Sequence, residues 1–278
     1  MRKLLFSVFI ILSPLTFGQN PTEAAQPIVE EGKALYRLEM SSWFGTDVFL
    51  EHFKDRNKIG GYFSYVVNDD LSKCVFYSRD NTPKIIGTIS FGADFNLDEA
   101  DVDLDVRSMT QNETDLYEIR KITIDLLETD ELFKYYENTG MNPIPIINGK
   151  EKKVYVLTAP NEAGHIIFGN DYLITFDKKN RVKSKKALHQ NILFLEFGAE
   201  DVVSSVHSHT NETGHFITAT DICTLMLYAK HAGWKSHMVT SKKYTNIWNC
   251  ETNSLVVIPS GSIQVIIDSE ENKTNEQK

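Results

Sequence analysis

The sequence predicts an α+β protein arranged as two blocks, and three patterns carry that reading. Short runs of alternating apolar and polar residues, bounded by Asn, Asp, Gly and Pro, recur along the chain and mark strands. Two stretches with apolar residues at helical spacing, each opened by a threonine three residues before an acid, interrupt those runs. The composition is that of an ordinary globular chain, 278 residues with 41% hydrophobic and 24% charged, long enough to bury a core without disulfide staples. A net charge of −9 disfavours nucleic acid as a partner.

In chain order, residues 1–18 read as a cleaved secretory leader. Arg2 and Lys3 precede an apolar run over 4–12, Pro14 breaks it, and Thr16-Phe17-Gly18 offers small residues to a peptidase. That run is shorter than the roughly 20 residues of a spanning helix, and no later run approaches such a length. The mature chain is therefore expected to be exported, periplasmic or extracellular, with no integral membrane segment.

The first block, 19–150, is an α+β region without a catalytic signature. Residues 21–31 are polar with two prolines and are expected to be loose. A helix is predicted over 30–40, then strands over 62–67, 74–77 and 84–90. Asp101, Asp103 and Asp105 alternate with Val102, Leu104 and Val106, the pattern of a half-buried strand with an acidic outer row. A calcium loop would need glycine and glutamate where this chain has Val106 and Asn112. A second helix follows Thr110 and Glu113, which form a capping box, and Leu116, Ile119, Ile122 and Leu126 line its apolar face.

The second block, 151–268, is mainly sheet. Strands are predicted over 154–157, 166–168, 172–176, 181–188, 192–197 and 202–209. A helix over 218–231 carries Ile222, Leu225, Met226 and Ala229 on one face and stops at Gly233. Four further strands follow, over 237–240, 244–249, 255–258 and 263–267, and the polar residues 269–278 read as a disordered tail.

The pattern that points to chemistry is His207-Ser208-His209 followed by Thr218-Ala219-Thr220-Asp221. Residues two apart on a strand face the same side, about 6.6 Å apart along the chain, so both imidazoles can converge on one ion. Asp221, in the first turn of the next helix, can add a carboxylate and leave a fourth position for water, the stoichiometry of a catalytic zinc site. Thr218 and Asp221 also satisfy a capping box, which is compatible with ligation. A hydrolytic site needs a further carboxylate to move protons, and Glu162, leading into the apolar strand over 166–168, is placed for it.

This order of elements resembles the JAMM (JAB/MPN) metalloprotease family. The resemblance runs over about residues 152–267 and implies a JAMM-like mixed sheet with flanking helices, preceded by the α+β N-terminal region. It implies that His207, His209 and Asp221 bind Zn(2+), that Glu162 is the general acid/base, and that Thr218 replaces the serine which helps stabilise the oxyanion. The chain departs from the family pattern at Thr210, where proline is usual, at Thr218, and by one residue in the loop between His209 and Thr218. Glu196 and Glu200 are the other carboxylates open to the role of Glu162. The expected function is an exported zinc-dependent peptidase or isopeptidase acting on a peptide or protein substrate; the alternative is a catalytically inactive exported binding or scaffold protein on the same fold.

The remaining histidines read as ordinary. His165 and His189 are expected to be strand residues, His231 suits the negative end of its helix, and His215 lies in the loop between ligand candidates. Three cysteines allow at most one bridge, with Cys74 and Cys250 open to pairing and Cys223 read as a core thiol.

Overall fold

The computed structural model describes residues 20–197 and 202–262. The leader, Glu200, the strand expected over 263–267 and the tail lie outside the described residues. The fold is α+β, with four sheets, three long α-helices and a further helical turn at 260–262 among the described residues.

Helix α1 (Pro21–His52) begins earlier and ends later than its periodicity suggested. Asn20 caps it, the side-chain oxygen accepting from the Thr22 amide at 3.0 Å, and Pro21 takes the first helical position, where a missing N–H costs nothing. Residues 21–31 are thus helical rather than loose. Ala25 and Val29 are buried in the core that holds Trp248 and Val257, and that burial offsets the hydrogen bond lost at Pro27. The far end of the helix packs Phe49 face to face on Phe76, ring centroids 3.9 Å apart.

Strands β1 (Ile59–Asn68), β2 (Leu71–Ser78), β3 (Ile85–Phe91) and β4 (Asp101–Asp103) form an antiparallel sheet in that order. The capping box forms at α2 (Gln111–Thr129): Thr110 Oγ1 accepts from the Glu113 amide, and a Glu113 carboxylate oxygen accepts from the Thr110 amide at 2.8 Å. Leu116 reaches the core of the first sheet, while Ile119 and Leu127 pack on the second, so α2 bridges the two.

That second sheet holds β5 (Thr139–Asn148), β6 (Glu151–Pro160), β8 (Tyr172–Phe176) and β9 (Val182–Ala187), all antiparallel. Residue 150, where the two blocks meet in sequence, lies in the turn of the β5–β6 hairpin. Between β6 and β8, strand β7 (His165–Gly169) leaves to pair with β10 (Ile192–Glu196). The last sheet is mixed: β11 (Ser204–Ser208) runs parallel to β12 (Ser236–Thr240), and β13 (Tyr244–Asn249) and β14 (Ser254–Pro259) follow antiparallel.

Helix α3 (Ala219–Tyr228) makes the crossover between the two parallel strands. One face buries Ile222 and Leu225 with Phe168 and Trp248, the other Cys223 and Leu227 with Leu35 and Leu38. Gly32 lets α1 lie against α3, since an added Cβ there would stand 2.6 Å from Ile222 Cβ. Cys74, Cys223 and Cys250 are all free, so the bridge left open in sequence does not form. No helix among the described residues is long and apolar enough to cross a membrane.

Candidate metal centre

His207 lies on β11 and His209 just beyond its end, where the His209 amide donates to Thr240 O at 2.8 Å and so holds the chain beside β12. The second capping box turns Asp221 inward. Its amide donates to Thr218 Oγ1 at 3.0 Å and its Oδ2 accepts from the Thr218 amide at 2.9 Å, which leaves Oδ1 free to face the strand end. These three side chains converge as the sequence predicted, and His189, on the segment between β9 and β10, joins them.

One donor atom from each of His189, His207, His209 and Asp221 lies within 4.8 Å of the others, so the group could hold a metal ion. Four ligands held 2.0–2.2 Å from one ion at tetrahedral angles stand about 3.4 Å apart. The separations observed are 3.0 Å for the two Nε2 atoms of His207 and His209, 3.3 Å from His209 to Asp221, 3.7 Å from His207 to Asp221 and 3.2 Å from His189 to Asp221. Asp221 Oδ1 and both ring nitrogens of His189 are buried without an aligned hydrogen-bond partner. Buried polar atoms left unsatisfied in this way are costly unless an ion or water belongs between them.

The surrounding contacts fix the ring tautomers so that both Nε2 atoms face the cluster. His209 Nδ1 lies 3.0 Å from Phe216 O, an acceptor only, so that nitrogen carries the proton and Nε2 presents its lone pair. Behind His207, His237 is fully buried, stacked on Phe168 at 4.8 Å and 15°. His207 Nδ1 lies 2.8 Å from His237 Nε2, and His237 Nδ1 lies 2.7 Å from Ser205 Oγ. A protonated Nδ1 on both rings satisfies this chain and again leaves His207 Nε2 bare.

Electrostatics follow from burial and proximity. Burial pushes His207 down to about 4, against the pull of Asp221, and His237 down to about 3, with His207 adding to the fall. At His189 burial is outweighed by the Asp221 and Asp171 carboxylates, which raise it to about 9. Burial would also raise Asp221, but His189 and His207 hold its carboxyl well below the usual range. Asp171 Oδ2 stands 3.7 Å from His189 Nδ1, and burial raises that carboxyl to about 7 despite the histidine. The cluster thus pairs one anion with the neutral rings of His207 and His209, a donor set suited to a divalent cation, and His189 would join it as a ligand only on losing its proton.

His189 and His207 reach a cleft of about 350 Å³ that Phe168, Gly169, Asn191, Ile192, Val206 and Thr210 also line. A ligand in it would touch the cluster. Glu162 is exposed in the turn ahead of β7, at the opposite end of that strand from Phe168, and is not among the four converging side chains. Glu196 is also exposed, its carboxylate 3.9 Å from His165, and Thr218 Oγ1 is engaged in capping α3. His215 remains outside the cluster, its carbonyl accepting from Asn246. No spacing rule could have found His189, because it is brought in from a separate strand connection. Its one signal is the polar His-Gln-Asn run between two strands.

Compared with protein-family models, curated proteins and solved structures, the chain matches none.

Proposed function

We propose that the chain is a zinc-dependent hydrolase of amide bonds, a peptidase or isopeptidase working in the manner of the JAMM metalloproteases on an exported protein or peptide. The observation that carries this is the meeting of His207, His209 and Asp221 at the edge of a cleft, with Asp221 Oδ1 buried there and left without a hydrogen-bond partner. The two Nε2 atoms and the Asp221 carboxylate would hold the ion, and His237, Ser205 and Phe216 O keep the rings in register. A zinc ion bound there supplies Lewis acidity, polarising a carbonyl and acidifying water.

The cleft seats the scissile amide beside the cluster. Water oxygen adds to the carbonyl carbon, the C–N bond breaks, the departing nitrogen gains a proton and the adding water loses one. His189 moves it in this reading: the protonated ring, with Nε2 3.2 Å from Asp221 Oδ1 at the cleft edge and Asp171 behind Nδ1, gives its proton to the nitrogen and recovers one from the water. Glu162, the group implied by the family resemblance, is exposed ahead of β7 and takes no part. A second reading rests on the same His189: as a fourth ligand it would close the centre, making it structural and the protein a binding or scaffold module.

Metal analysis of the purified chain and hydrolysis of a fluorogenic peptide library separate these. One zinc per chain is expected, lost in His207→Ala and Asp221→Ala. His189→Gln should keep the zinc and lose hydrolysis, while Glu162→Gln should keep both. Loss of zinc from His189→Gln favours the closed centre, loss of hydrolysis in Glu162→Gln returns the proton to Glu162, and a chain that takes up no divalent metal overturns both readings.

A further inference from the structure

A second hollow lies between α1, α2 and β5, and none of its lining residues belongs to the metal cluster. Its larger part, about 420 Å³, has Arg120, Ile124, Leu127 and Glu128 of α2 on one wall and Met141 and Asn142 of β5 on the other. An adjoining part of about 290 Å³ is bounded by Glu39, Trp43 and Tyr228, and Tyr62 and Asn142 line both. Together they are the size of a small-molecule site.

Arg120 sets the chemistry of this groove. The residue is 8% exposed, and its guanidinium lies over the Tyr62 ring, 5.2 Å from the centroid. Arg107 is held by two hydrogen bonds to Glu113, whereas Arg120 has no carboxylate within 4.0 Å among the described residues. A buried guanidinium without a counter-charge is costly unless a ligand supplies one. Glu39 is the carboxyl on the facing wall, and both its oxygens accept from Asn142 Nδ2 at 2.9 Å instead. Burial raises Glu39 to about 7 despite Asn142 and Arg120, so it is a weak neutraliser of the arginine.

We propose that this groove binds a small organic monocarboxylate, its charged end on Arg120 and its apolar or aromatic body along Tyr62, Ile124, Leu127 and Met141. The planar fork of a guanidinium matches the two oxygens of a carboxylate. The groove holds one arginine, which matches one negative charge, while the carboxyls of Glu39, Asp47 and Glu128 around it disfavour the second charge of a phosphate.

The test uses the whole chain and the Arg120 Nε–Hε resonance, titrated with phenylacetate, phenylacetamide and phenyl phosphate up to about 10 mM, where even a weak fragment binds. Phenylacetate should shift that resonance saturably, and the other two should not. Arg120→Gln should weaken phenylacetate binding at least about tenfold, with Arg120→Lys in between. The wild-type titration stands by itself if Arg120→Gln fails to fold. Absence of a saturable shift, binding of the amide as tight as the acid, preference for the phosphate ester, or undiminished affinity in a folded Arg120→Gln chain would each overturn the proposal.

Discussion

Replacing Asp221 with asparagine separates the two jobs of one side chain. Asparagine keeps an oxygen to accept from the Thr218 amide, now 2.9 Å from Oδ2, so the cap on α3 should lose no more than about 0.5 kcal/mol. What disappears is the only negative charge in the four-residue cluster. Changes in the outer shell of metal sites cost about 10–100-fold in affinity, and loss of an anionic ligand should reach at least the upper figure. At a free zinc concentration about 1,000 times the dissociation constant, binding stabilises the native state by about 4.1 kcal/mol; a 100-fold weaker site at the same zinc retains about 1.4 kcal/mol. For a chain of this size about 1 kcal/mol moves Tm by roughly 2–4 °C. Zinc should thus raise the wild-type Tm by about 8–16 °C and that of Asp221→Asn by about 3–6 °C. Differential scanning calorimetry at buffered free zinc, with a chelated control, reads both. Equal rises in the two chains would remove Asp221 from the ligand set, and no rise in either would remove the metal.

Gly32→Ala should destabilise although alanine is the better helix former by about 1 kcal/mol, because the new Cβ would meet Ile222 Cβ at 2.6 Å and Ala219 O at 3.0 Å. Overpacking of about 1–3 kcal/mol, less that gain, should leave a net loss of up to about 2 kcal/mol in urea unfolding, and a gain in stability would refute the close approach of α1 to α3. Glu113 gives a pH signature away from the metal. Burial alone would raise it, yet Arg107 and the Thr110 amide hold it at about 2 against an ordinary 4.5. The ion pair therefore stabilises fully above about pH 4.5 and fades as pH falls toward 2. The shift is worth about 3 kcal/mol at most, and solvent around the one-third exposed Arg107 reduces it to about 2 kcal/mol. Glu113→Gln should lack that slope between pH 4.5 and 2.5, and parallel profiles for the two chains would refute the pairing.

Where local chemistry decides structure, the sequence was readable. Thr110–Glu113 and Thr218–Asp221 are capping boxes because a hydroxyl and an acid three residues apart reciprocate only at a helix start, and both start helices. His207 and His209 meet because strand period is two. Tertiary contacts decided the rest. Residues 21–31 look loose until Trp248 and Val257 supply the apolar surface that Ala25 and Val29 cover. Pro143 and Pro145 argue against a strand, yet they sit two apart on β5, an edge strand, where both missing donors fall on the same side. His189 reaches the cluster only because two strands of different sheets bring their connection past it, and no local pattern encodes that.

The reach of α1 sets an order of events in biosynthesis. Thr22 exchanges hydrogen bonds with the backbone of Val257, 235 residues away, the Val257 amide donating to its hydroxyl at 2.9 Å. At about 5–20 residues per second, translation puts roughly 10–50 s between the two partners. Throughout that interval the Ala25–Val29 end of the nascent helix waits for Trp248, Leu255 and Val257, while its later turns already have partners in Phe76, Ile144 and Tyr155. Closing so wide a circle of chain also makes it a late and slow step, and the last strands act as the latch.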